Sequence, residues 1–264
     1  MSCWANFIPG LFVLAATMAY GADKPDALAQ ARALYNQGHF QAAVTAAEQA
    51  RALPGSADAA DLIAARAYLE LFRESTAADD LANARDRLRR LDPQRLDSRE
   101  RTEYIVGLGE TLYFDGAYGS AANLFDSILA REGLGADARE RALDWWATAV
   151  DEDAKPRPDI ERQPMYQKIR ERMQRELGMN PMSGSAAYWL AAAARAQGDL
   201  QAAWDAALAA WVRAPLAPDH GTALRADIDR LVLTAIVPER ARAISQAPDA
   251  LKAEWDQFKD RWKK

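Results

Sequence analysis

Apolar side chains recur at helical spacing along most of this chain. Leu124, Phe125, Ile128 and Leu129 form one such stripe, residues 222–236 carry another, and Trp255, Phe258 and Trp262 share one face of residues 250–263. The pattern repeats itself. Residues 31–44, 109–122 and 191–204 each place a small residue (Ala31, Gly109, Ala191) seven positions before a glycine (Gly38, Gly116, Gly198). Each then has Phe40, Tyr118 or Leu200 two positions after that glycine, and Ala43, Ala121 or Ala203 five after it.

The spacing predicts a helical hairpin at each copy. One helix ends near the glycine, which adopts the left-handed conformation that a tight turn needs. The aromatic or leucine packs into the corner, and the small residues let the two helices lie close. In its small residue, turn glycine, aromatic and alanine the pattern resembles the tetratricopeptide repeat, with Pro54 and Pro215 closing two of the units. The family's first-helix tryptophan is replaced by Ala27, Ile105 and Ala187. The resemblance implies an all-α fold: a right-handed array of antiparallel helix pairs with a C-terminal capping helix.

The turn glycines are 78 and 82 residues apart, whereas two repeats of about 34 residues would separate them by about 68. Each gap therefore holds one elongated, degenerate pair. The first is expected at residues 60–71 and 77–91, and the second at 136–150 and 164–177. A charged, proline-bearing loop is expected over 151–163, as a plain surface insertion or as a projecting lip. The expected organisation is residues 1–21 as a signal peptide and 22–217 as repeats, with clear copies at 24–57, 102–135 and 184–217. Residues 218–264 form a helical cap, in which the aromatic stripe of the last helix buries the exposed end of the array.

Composition narrows the function. Alanine is frequent, and half the residues are apolar. Net charge is −5 and the isoelectric point about 5.3, which argues against nucleic acid as the main partner. The one arginine-rich stretch, from Arg85 to Arg101, is threaded with Asp86, Asp92, Asp97 and Glu100 and reads as a locally paired, solvated helix face.

An apolar run from Phe7 to Ala19 followed by Ala19-Tyr20-Gly21 has the form of an export signal cut after Gly21, although residues 1–6 carry no Lys or Arg. The alternative is an uncleaved anchor at residues 4–22 in the inner membrane. Export places the chain in the periplasm or outside the cell. Cys3 is the only cysteine, so the mature chain would have no disulfide and no thiol nucleophile.

Chemistry is sparse. His39 and His220 are the only histidines, and no metal-ligand spacing, phosphate-binding loop or nucleophile elbow occurs. Ser183 reads as a helix N-cap, and Asp151-Glu152-Asp153 as a solvated helix end. No cofactor, metal or catalyst is expected. Repeats of this resemblance line a groove with their first helices. That implies partner-facing positions at Leu28, Arg32, Tyr35 and Asn36, at Glu103, Val106, Glu110, Tyr113 and Phe114, and at Ser185, Tyr188 and Arg195. Inter-repeat core is the competing assignment for Tyr35, Tyr113 and Phe114. The expected function is an exported scaffold or adaptor that binds protein partners. The alternative is a soluble helical protein of a transport system, enclosing a small ligand near Tyr113 and Tyr188.

Overall fold

The computed structural model describes residues 26–217 and 219–263, so the export signal expected over residues 1–21 lies outside the described residues. Within them the regular elements are all helical: α1 (Ala27–Asn36), α2 (Phe40–Arg51), α3 (Ala57–Ser75), α4 (Ala78–Arg90), α5 (Ser98–Phe114), α6 (Tyr118–Leu129), α7 (Ala136–Ala154), α8 (Asp159–Met179), α9 (Gly184–Ala196), α10 (Leu200–Arg213), α11 (Thr222–Leu231), α12 (Val237–Ala243) and α13 (Pro248–Arg261). A short 3-10 turn, Ala214–Leu216, follows α10, and a π-helical turn, Val232–Ile236, joins α11 to α12. None of the described helices is long and apolar enough to cross a membrane.

The three repeated turns have the same geometry. Gly38, Gly116 and Gly198 sit at φ +78°, +77° and +80°. In each, the glycine N–H donates to the carbonyl three residues back, and the next N–H donates five residues back: His39 to Leu34, Ala117 to Leu112 and Asp199 to Ala194, at 2.9, 2.9 and 3.0 Å. This pair of bonds satisfies carbonyls that the helix end leaves free. The pairs between these hairpins are elongated, with 19 residues in α3, 19 in α7 and 21 in α8 against 10 in α1 and 12 in α2.

Each helix packs on its chain neighbour except α11 and α12, which run on from one another through the π turn. Alternate helices also touch, α1 with α3, then α5, α7, α9 and α11 in succession. The odd-numbered helices thus form a layer, and the even-numbered ones lie against it. The largest core joins α5 to α9 and buries Phe125, Ile128, Leu143, Trp146, Ile169 and Met173. A second joins α9 to α13 around Trp204, Ile228, Ile236, Leu251 and Trp255. At the N-terminal end the contacts are smaller, among Ala31, Ala46, Ala47, Ile63 and Ala64.

Close approach of α5 and α6 depends on Gly109. A Cβ there would lie 2.6 Å from the ring of Phe125, which is fully buried. Gly109→Ala is expected to destabilise the fold by about 1–3 kcal/mol through overpacking. A urea unfolding curve measures this, and an unchanged midpoint would mean that Phe125 shifts freely.

The loop expected over residues 151–163 is not there. α7 runs to Ala154 and α8 starts at Asp159, leaving a short connection. The acidic end of α7 stays helical because Lys155 pairs with Asp151 and Glu152 at 2.9 and 2.7 Å, while Arg157 reaches Asp153 at 3.0 Å and Glu161 at 3.1 Å. Pro164, taken as the start of a helix, lies inside α8 near its N-terminus. There it removes one early intrahelical bond rather than ending the helix.

Pro238 has a different effect. Lacking an N–H, it cannot bond to the carbonyl four residues back, and its ring crowds that carbonyl. The helix widens just before it: the Val237 N–H donates to Val232, five residues back, across the π turn.

The stripe of α13 docks on the second core. Leu251 and Trp255 are buried, the Trp255 Nε1–H donates to Asp229 at 2.8 Å, and Lys259 pairs with Asp229 at 2.7 Å. Trp262, 45% exposed, ends the stripe in solvent. Four of the seven arginines in the arginine-rich stretch form ion pairs, largely across helices. Arg87 of α4 holds Glu48 of α2 and Asp61 of α3, and Arg85 holds Asp115 at the end of α5.

Candidate functional site

The odd-helix layer presents a row of open hollows. The first, about 270 Å³, lies between α1, α3 and the start of α5, and its walls include Arg32, Tyr35, Asn36, Arg66, Glu100 and Glu103. The next, about 460 Å³, lies between α3, α5 and α7, with Tyr35, Glu70, Arg73, Glu110, Tyr113, Phe114 and Trp145 around it. Two further hollows adjoin α9. One of about 610 Å³ faces α11, and the other, also about 610 Å³, faces α8 and α12 and contains Tyr188 and Arg195.

Of the twelve sequence-predicted partner-facing residues, eleven line these hollows, and Leu28 does not. Their states differ. Arg32 is exposed and pairs with Glu100 at 2.8 Å, and Asn36 is exposed. Glu103 is buried between Arg66 at 3.1 Å and Arg141 at 2.7 Å, so it ties α5 to α3 and α7. Arg195 grips Glu239 of α12. Leu28 is half-buried, packed against the N-terminal core; Val106 is buried; and Ser185 donates to the Glu140 carbonyl at 3.3 Å.

The aromatic residues form a connected wall. Tyr113 and Phe114 meet Trp145 edge-on with centroids 5.1 and 5.9 Å apart, and Trp145 stacks on Phe125. Tyr35 lies under the Arg66 guanidinium, 4.3 Å from ring centroid to Cζ. Tyr35, Tyr113 and Phe114 are half-buried, contributing to packing while keeping one side open to the hollow. Trp145 does the same, whereas its neighbour Trp146 is fully buried in the main core.

Two carboxylates have shifted acidity. Glu110 is 8% exposed, and burial, with help from Glu70, pushes its pKa up to about 7 against the opposing pull of Arg66, Arg73 and Arg141. Asp144 sits on α7 where two hollows meet. Desolvation by the surrounding helices raises its pKa, although it accepts a 2.8 Å bond from the Trp189 indole.

Arg66, Glu70 and Arg73 of α3, and Arg141, Asp144, Trp145 and Thr148 of α7, were not assigned to the site from sequence. They belong to the degenerate pairs, where no turn glycine fixes the register. Their signal was present as charged and aromatic residues three, four and seven apart on one helix face. His39 precedes α2 without a side-chain capping bond and His220 sits at φ +56° before α11, both exposed. Among the described residues no three His, Cys, Asp or Glu side chains gather to hold a metal ion. No protein-family model matches the chain, and no curated protein matches it.

Proposed function

We propose that this chain is an exported helical-repeat protein of tetratricopeptide type that binds other polypeptides along its odd-helix face, as a scaffold or adaptor in the cell envelope. The carrying observation is the face itself: α1, α3, α5, α7, α9 and α11 succeed one another in one layer and expose half-buried aromatic and charged side chains in adjoining open hollows. Such a mixture suits an extended or helical ligand with apolar anchors. The repeated glycine turns support the family reading, and residues 7–21 support export. Catalysis has no candidate residue in this reading. The small-ligand alternative is less well supported, because the hollows lined by Tyr113 and Tyr188 are open to solvent rather than an enclosure.

Photocrosslinking residues placed at Asn36, Tyr113 or Tyr188 in living cells are expected to yield the same discrete polypeptide adduct. Placed at the exposed even-helix positions Gln41, Asn123 or Asp205, they should yield none. Adducts from the even helices only, or from neither set, would overturn the reading. Mass spectrometry of the exported chain is expected to find Ala22 as its first residue.

A further inference from the structure

The hollow between α3, α5 and α7 and the one between α7, α9 and α11 form one trough, because Asp144 and Thr148 line both. Toward α11 its walls carry Asp137, Glu140, Asp144, Asp219 and Asp227, and no lysine or arginine among the described residues. Solvated carboxylates are ordinary, so an acidic wall alone indicates little. Glu110 is a separate observation. It is more than nine-tenths buried, it lines the trough, and among the described residues it has no hydrogen-bond or ion-pair partner. The arginines near it are engaged elsewhere, Arg66 and Arg141 with Glu103 and Arg73 with Glu70. A buried carboxylate left unpaired is costly, and such a breach of local rules is characteristic of a site completed by a ligand.

We propose that the trough takes a basic segment of a partner polypeptide, with cationic side chains meeting Glu110 and Asp144 and apolar ones resting on Trp145, Tyr188 and Met182. This rests on the reading of the odd-helix face as a polypeptide-binding surface. Charge complementarity toward α11 selects a cation, while around Glu110 the arginines Arg66, Arg73 and Arg141 balance the carboxylates. Length selects a polypeptide over a small amine: three helix-to-helix steps of about 9 Å from α5 to α11 span on the order of 27 Å, the reach of about eight extended residues.

Fluorescence anisotropy on the full chain tests this with a labelled ten-residue peptide alternating lysine and leucine. Saturable binding is expected, weakened roughly tenfold or more by Glu110→Gln and by Asp144→Asn combined with Asp227→Asn, and unchanged by Asp205→Asn on α10. Glu110→Gln keeps the side chain's shape and removes a buried charge, so the variant folds. Equal binding to wild type and to both sets of variants overturns the proposal. So does spermidine that competes at the same site as tightly as the peptide. Binding of a glutamate–leucine peptide that is lost in Trp145→Ala overturns the cationic preference while leaving the polypeptide-binding face intact.

Discussion

Glu110→Gln is expected to stabilise the protein by about 3 kcal/mol at pH 8 and by almost nothing near pH 4.5. The size follows from the difference between the ordinary 4.5 and about 7, at about 1.4 kcal/mol for each pH unit. The folded chain holds the Glu110 proton more tightly than the unfolded chain does. The stabilisation from that proton is therefore fully present below pH 4.5 and is lost as pH rises through about 7. Glutamine stays neutral throughout and escapes the loss. Urea unfolding of both proteins between pH 4.5 and 8 measures the difference, in which titrations common to both cancel. A difference that does not change with pH would mean that burial does not govern this carboxyl. Since the same substitution is expected to weaken peptide binding, Glu110 trades stability for recognition.

The second large effect separates two adjacent tryptophans. Trp146→Ala is expected to cost about 3–5 kcal/mol, because it empties the centre of the largest core. That ring is fully buried, and Arg172 of α8 lies over it at 4.4 Å. Trp145→Ala is expected to cost only about 1–2 kcal/mol, since that ring is only partly buried and lines the hollow, yet it is expected to abolish the crosslink from Tyr113. Denaturant midpoints of the two variants check the contrast. Similar midpoints would place Trp145 in the core and remove it from the binding face.

Much of the helical framework was legible in the sequence where local chemistry sets it. Gly38, Gly116 and Gly198 mark turns that depend on their own backbone conformation, and the small residues and aromatics around them lie within one hairpin. The elongated pairs were legible as a spacing excess, but their ends were not. Pro164 reads as a helix start when its neighbours are ignored, whereas the ion pairs of Lys155 and Arg157 and the burial of Val150, Ala154 and Tyr166 support helix on both sides of a short connection. For the site, Glu110 was readable as a position on the right face. Its isolation was not, because it depends on Arg66, Arg73 and Arg141 being held by other carboxylates, an arrangement made by helices tens of residues away. The share of the face supplied by α3 and α7 was hidden for the same reason.

The π turn ahead of Pro238 fixes the rotational phase of the chain's last helices. One residue added within a helix turns everything after it by about 100° about the axis. In the phase that the π turn sets, Glu239 meets Arg195 of α9, and Arg240 lies 4.7 Å above the ring of Trp204 and donates to Gln201 at 3.0 Å. Removing one residue from Val232–Ile236 would restore an ordinary helix and aim those contacts at empty directions. The widened turn thus works as an angular offset built into a continuous rod, so that its first half can close the trough while its second half clasps the back of the preceding hairpin.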